Sequence, residues 1–185
     1  MKPATGHPVA GWHADHVYFQ RLLNLLRKEL DVFHGGERPN YELMLDIITY
    51  LREYTDRFHH PREDAAFALM VRRFPDMQLA LARLQQEHRV IAQAGETLHH
   101  LLSAALGGGM VPRNAIEMAA ATYLVYYGNH IAKEEEDVLT RATLALSAEE
   151  WEAVRKNVPG GKDPLFGPNP EERFRELRRR IALEA

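Results

Sequence analysis

Three clusters of glycine and proline, HGGERPN (34–40), RFPD (73–76) and GGGMVPRN (107–114), cut this 185-residue chain into four long stretches, and no other feature limits its fold so strongly. Each stretch places apolar residues at three- and four-residue steps, the spacing of one helical face. The first, from about Trp12 to Phe33, carries Phe19, Leu22, Leu23, Leu26 and Leu30. The second, about Tyr41 to Arg73, carries Met44, Ile47, Ile48, Leu51, Tyr54, Phe58, Phe67 and Met70, with Pro61 as a point of local kinking. The third, about Asp76 to Leu106, carries Leu81, Leu84, Ile91, Leu98 and Leu102, and the fourth, about Asn114 to Leu146, carries Ile116, Ala120, Leu124, Ile131 and Val138. No stretch alternates with period two, so the chain is expected to be all-α. Four long helices joined by short turns predict an antiparallel up-down-up-down four-helix bundle over residues 1–146.

Residues 147–185 read as a C-terminal helical extension packed on that bundle. Ser147 and Glu150 form a capping box that opens a helix running to about Asn157, and Asn169-Pro170 is expected to open a last helix from Glu171 to about Leu183. Between them VPGGKDPLFGPNP has too much glycine and proline for regular structure, and its Leu165 and Phe166 are expected to dock on the bundle. The basic run in RFRELRRRI reads as a solvated face, with Phe174, Leu177 and Ile181 turned inward.

Composition narrows the chemistry. A formal charge of -3 provides no general basic field for a nucleic-acid backbone. No apolar run reaches the roughly 20 residues of a membrane span, and the first residues lack the apolar segment of a signal peptide, so a cytoplasmic location is expected. Zero cysteines exclude disulfides, thiolate metal sites, iron-sulfur clusters and cysteine nucleophiles, whereas ten histidines are an unusual supply of imidazole. No Ser/His/Asp arrangement or phosphate-binding loop stands out.

In antiparallel helices, residues equally far from a connecting turn lie at one depth. Counted from turns near positions 35, 75 and 109, His16 and His59 lie 19 and 24 residues out, His59 and His88 lie 16 and 13, and His88 and His130 lie 21 and 21. At about 1.5 Å of rise per residue, one histidine from each helix falls within roughly a turn of one level. His16 continues the stripe of Phe19 and Leu23, His88 sits at the edge of its apolar face, and His59-Glu63 and His130-Glu134 each pair an imidazole with a carboxylate one turn away. The set His16, His59, Glu63, His88, His130 and Glu134 can therefore hold two metals, with carboxylates bridging them. Nitrogen and oxygen donors without sulfur fit iron, manganese or zinc. His7, His34, His99 and His100 are left out. His13 lies near the helix start, and His60 shares a row with Arg52, Asp56 and Asp64 and so is expected to face outward; either can support a ligand from behind.

The motifs W-H-A-D-H (12–16), R-F-H-H-P-R-E-D-A-A-F (57–67), Q-E-H (86–88) and Y-G-N-H-I-A-K-E-E-E-D-V-L (127–139) resemble the hemerythrin-like, HHE cation-binding family, and L-S-A-E-E-W (146–151) with D-P-L-F-G (163–167) resembles its bacterial members. The resemblance implies a four-helix bundle with a non-haem di-iron site, usually bridged by an oxo or hydroxo group and two carboxylates. It carries the same six ligands over, with Glu135 competing with Glu134 for the last carboxylate. Oxygen-carrying hemerythrins use two histidines one turn apart on the third helix; here Leu84 and Ala92 flank His88, so the site is one imidazole short and has a position that is open, water-filled or filled from elsewhere. Tyr123, Tyr126 and Tyr127 are candidates to hydrogen-bond a bound group, or else aromatic core. The expected function is binding or sensing dioxygen, peroxide or nitric oxide. The alternatives are a di-iron redox enzyme with peroxidase or iron-centre repair activity, and a metal-responsive interaction module without redox chemistry. A homodimer is a possible assembly.

Overall fold

The computed structural model describes residues 8–158 and 160–183, which are helical with no strand among them. The first stretch is α1 (Pro8–His34). Gly36, at φ 83°, turns the chain in a conformation that side chains disfavour, and Asn40 caps α2 (Tyr41–Tyr50) by accepting from the Leu43 amide at 3.0 Å. The second stretch then departs from a single α-helix. Leu51–His59 is a π-helical segment, in which the His60 amide donates five residues back to the Thr55 carbonyl, before α3 (His60–Arg73) resumes. Pro61 stands in the first turn of α3, where its missing amide costs little, and so does not break the helix.

A short 3₁₀ turn, Pro75–Met77, leads into α4 (Gln78–Leu106), an unbroken α-helix of 29 residues. Gly108, at φ 81°, makes the next turn. The fourth stretch consists of α5 (Arg113–Lys133), a second π-helical segment at Glu134–Val138, and α6 (Leu139–Ala145). Here too an amide, that of Leu139, reaches five residues back, to the Glu134 carbonyl.

In the tail, α7 (Ala148–Asn157) begins with the expected capping box: Ser147 accepts from the Glu150 amide at 3.3 Å and the Glu150 carboxylate accepts from the Ser147 amide at 2.8 Å. The last helix differs from expectation. Asn169-Pro170 does not cap it; the Glu171 amide is drawn to the Pro164 carbonyl at 2.8 Å, so the chain stays extended there, passes through a 3₁₀ turn at Glu172–Phe174 and enters α8 (Arg175–Leu183) later. Leu165, Phe174, Leu177 and Ile181 are buried as expected, and Phe166 stacks on Tyr18 with ring centroids 4.1 Å apart.

Two apolar clusters form the core. One contains Phe19, Leu23, Leu26, Ile47, Leu51, Ile91, Leu98, Leu124 and Ile131; the other contains Trp12, Ala66, Phe67, Met70, Leu81, Leu84 and Val138. Truncating a leucine in either to alanine costs about 2–5 kcal/mol. Along α1 the chain passes from the second cluster to the first, along the next stretch from the first to the second, and it reverses again in α4 and in the fourth stretch. At each crossing it traverses one layer of buried polar groups: His16, Thr55, His59, His60, Glu63, His88, His130 and Glu134.

Candidate metal centre

All six ligands expected from the sequence lie in that polar layer and are buried. Glu63 and Glu134 occupy its middle. The Glu63 Oε1 atom lies 3.0 Å from His59 Nε2 and 3.4 Å from His16 Nε2, while Oε2 lies 3.6 Å from His88 Nε2. Glu134 mirrors it: Oε2 is 3.4 Å from His16 Nε2, and Oε1 is 3.3 Å from His130 Nε2 and 3.6 Å from His88 Nε2. Each carboxylate thus faces two groups of imidazoles with its two oxygens.

His60 joins the second group, correcting the expectation that it faces outward. It is buried, its ring stacks on His88 at 4.2 Å, and His60, Glu63, His88 and His130 each offer a ligand atom within 4.8 Å of the others. His16, His59 and Glu63 do the same on the other side. The outward reading assumed unbroken α periodicity; the π segment that ends at His59 delays the helical phase and brings two consecutive histidines to the interior. The second stretch thus brings a further imidazole into the layer, which then has five imidazoles and two carboxylates, the imidazoles divided as two and three.

Every one of the five imidazoles has a carboxylate behind it. Nδ1 of His16 hydrogen-bonds to Glu135 at 2.7 Å, of His59 to Asp15 at 3.1 Å, of His88 to Asp64 at 2.9 Å and of His130 to Glu87 at 3.3 Å, while Nδ1 of His60 lies 3.3 Å from Asp56 without making a hydrogen bond to it. A carboxylate accepting the Nδ1 proton fixes the tautomer and leaves the Nε2 lone pair directed inward, as a metal ligand requires. Four of these contacts form a ring. Asp15, beside His16 on α1, holds His59 of the second stretch; Asp64, beside Glu63, holds His88 of α4; Glu87, beside His88, holds His130 of α5; and Glu135, beside Glu134, returns to His16. Glu135 is thus an outer support, not the inner carboxylate, and its other oxygen meets the exposed His13 at 2.8 Å.

The electrostatics call for cations. Burial disfavours protonation of His59 and His88, yet the Glu63 and Asp15 carboxylates push His59 up to about 10, and Asp64 and Glu134 push His88 up to about 9. His60, buried beside the His88 imidazole, is driven well below its ordinary value. Burial raises Asp56 to about 7 despite Arg52. The inner oxygens of Glu63 and Glu134, and Nε2 of His88 and His130, have no hydrogen-bond partner although fully enclosed, and the Nε2 atoms of His16 and His59 face one another at 3.1 Å. Buried polar atoms are rarely left so. Two ions placed between the imidazole groups and shared by the carboxylates would satisfy all of them, and the donor set fits iron, manganese or zinc.

A family model described as the hemerythrin HHE cation binding domain matches residues 7–142. The chain belongs to the hemerythrin HHE family. The match spans all four motif-bearing stretches and stops short of α7, so every residue of this HHE centre lies inside it. No curated protein matches the chain significantly.

Around the HHE centre, Trp12 approaches His59 edge-on at 6.4 Å and Phe19 at 4.9 Å. Of the three tyrosines considered, Tyr126 is exposed, whereas Tyr123 and Tyr127 are buried with hydroxyls that have no hydrogen-bond partner. Tyr127 stands nearer, 5.7 Å from the His60 ring and 6.4 Å from that of His130. His99 is only partly buried and His34 pairs with Glu117 at 2.9 Å, so both stay apart from the centre; His7 lies outside the described residues.

Proposed function

We propose that this chain holds two iron ions and binds or senses a small molecule, dioxygen, peroxide or nitric oxide, beside them. His16 and His59 would hold one ion and His60, His88 and His130 the other, with Glu63 and Glu134 placed to serve both. The observation that carries this reading is the pair of buried, unpartnered carboxylates facing two unequal groups of Nε2 atoms. Iron, when bound, supplies one-electron redox chemistry and Lewis acidity toward a small ligand. The chain's own residues do the rest. The outer carboxylates keep the Nδ1 protons, Trp12, Phe19 and Tyr127 exclude bulk water, and the two-imidazole group, poorer by one protein donor, leaves room for the incoming molecule. The Tyr127 hydroxyl is the nearest uncommitted donor.

The wider reading is a soluble, cytoplasmic protein built as an up-down-up-down bundle over residues 1–146 with residues 147–185 packed on it, in a monomer or homodimer. The alternation of the two apolar clusters along successive stretches supports the antiparallel course. No described helix is long and apolar enough to cross a membrane.

The test is metal analysis and an optical spectrum of protein made in iron-replete cells, before and after reduction and with azide or nitric oxide added. Near two irons per chain, with a spectrum that responds to both treatments, is the expected result. Tight zinc with no redox response would replace this reading with the interaction module, and rapid peroxide turnover would replace it with the enzyme.

A further inference from the structure

The C-terminal extension, which lies beyond the family match, covers one seam of the centre. Along α1 it touches residues on either side of Asp15 and His16: Trp151 of α7 meets Trp12 edge to face with ring centroids 5.2 Å apart, and Phe166 stacks on Tyr18 at 4.1 Å. Along the second stretch it lies on Phe58 and Arg62, which are one turn apart and immediately precede His59 and Glu63. A Cβ added at Gly161 would run into the Phe58 ring, and one at Gly160 into the Arg62 guanidinium, so the backbone approaches as closely as glycine permits. The Arg62 Nε donates to the Val158 carbonyl at 3.1 Å, and the Asp163 carboxylate accepts from the Leu165 and Phe166 amides at 2.9 and 2.8 Å, which sets the turn that presents Phe166. These contacts bracket the seam across which Asp15 holds His59. His59 is buried beneath it, but the Asp15 side chain keeps 27% of its surface exposed, so a narrow opening remains over the two-imidazole group.

We propose that Trp151, Gly160, Gly161 and Phe166 form a size filter over the ion at His16 and His59, admitting a molecule of two or three atoms and excluding larger ligands. This rests on the di-iron reading and names the residues that set its selectivity. A small molecule passes an opening of this kind on ordinary side-chain fluctuations. A large one needs the aromatic contacts on Trp12 and Tyr18 to separate, a local opening with its own free-energy cost. The filter is a property of this chain's extension, since the ligands themselves all lie in the bundle.

Two reactions of the iron-loaded full chain test this: azide binding to the oxidised protein, and iron removal from the reduced protein by bathophenanthroline disulfonate, a large anionic chelator. Trp151→Ala should speed removal of one iron per chain at least about tenfold, as a cheaper local opening would, and move the azide rate by less than about twofold. Gly161→Ala, which leaves every core side chain in place, should act in the same direction and keeps the test open should the Trp151 variant fold poorly. Equal acceleration of the azide and chelator reactions, or release of both irons together, would mean general loosening and overturn the filter. Unchanged chelator rates in both variants would overturn it too. So would faster chelation in His13→Ala alone, which loses the contact with Glu135 at 2.8 Å and would place the entrance between α1 and the fourth stretch. Protein that takes up no iron would remove the di-iron reading itself, and this proposal with it.

Discussion

The second and third helical stretches both deliver histidine to the polar layer, but by different geometry. The third, α4, is α-helical from Gln78 to Leu106 and contributes one imidazole, His88. The second is interrupted by the π segment Leu51–His59 and contributes His59, His60 and Glu63. A regular α-helix turns consecutive residues about 100° apart; a segment with five-residue hydrogen bonds has more residues per turn, so it turns neighbours through a smaller angle and brings both members of the His-His pair closer to one interior layer. The comparison teaches that local irregularity here serves ligand density, in keeping with the tendency of π segments to mark functional sites. The second π segment begins at Glu134, the other shared carboxylate, and there consecutive glutamates divide the work, Glu134 inside and Glu135 behind His16.

The largest effect is expected where the second stretch contributes what no other residue replaces. Glu63→Ala removes oxygens facing both groups of imidazoles, so metal content should fall from two ions per chain to below one, and the loss of a buried partner should cost about 3–5 kcal/mol. Metal analysis with thermal or urea melting measures both. Retention of both ions would show that Glu63 is not shared.

Next in size is a matched pair, His60→Ala and His88→Ala, one from each stretch. If the π segment brings a true ligand inward, the two should weaken one ion equally, by at least the roughly 10–100-fold seen on loss of an outer partner, and leave the other bound. A His60→Ala protein with two tightly held ions would make His60 a structural neighbour of His88 and leave the centre with four imidazoles. Smaller still is Asp64→Asn, which leaves His88 in place but removes the acceptor of its Nδ1 proton; about 10-fold weaker binding at that ion, with little change in fold, is expected from competition with a metal indicator.

These residues also mark what could be read in advance. The placement of the helical stretches and the burial of His16, His59, Glu63, His88, His130 and Glu134 followed from turn punctuation, periodicity and depth counting, because those depend only on regular α geometry and short connections; the breaks inside the second and fourth stretches did not. His60 did not, since periodicity places it with Asp56 and Asp64 on the outer row and nothing in a period count reveals a change of helix type. A signal for the supporting carboxylates was nevertheless present: in W-H-A-D-H, H-P-R-E-D, Q-E-H and K-E-E-E an acid sits beside an expected ligand each time. What the spacing alone could not say is that each acid serves the histidine of the neighbouring helix. That depends on which helices touch, a property of the packed molecule. The start of α8 was missed for a similar reason, the Pro164 carbonyl being remote in sequence from any cap motif at Glu171.

The smallest expected difference isolates the two helix types by one bond. Thr55, in the π segment, and Thr97, on α4, both donate a hydroxyl to the carbonyl four residues back, Leu51 and Gln93 respectively. On α4 that carbonyl already receives the regular backbone donor, and Thr97 is exposed, so Thr97→Val should change stability by no more than about 0.5 kcal/mol. In the π segment the backbone donor has moved one residue on, the Thr55 side chain is completely buried, and its hydroxyl fills the four-back position that the backbone has left. Thr55→Val should therefore cost about 1 kcal/mol and speed amide hydrogen exchange from 51 to 60, with α4 unaffected. Equal effects of the two substitutions would mean that the hydroxyl does not help hold the π geometry, and that the ligands themselves keep His59 and His60 turned inward.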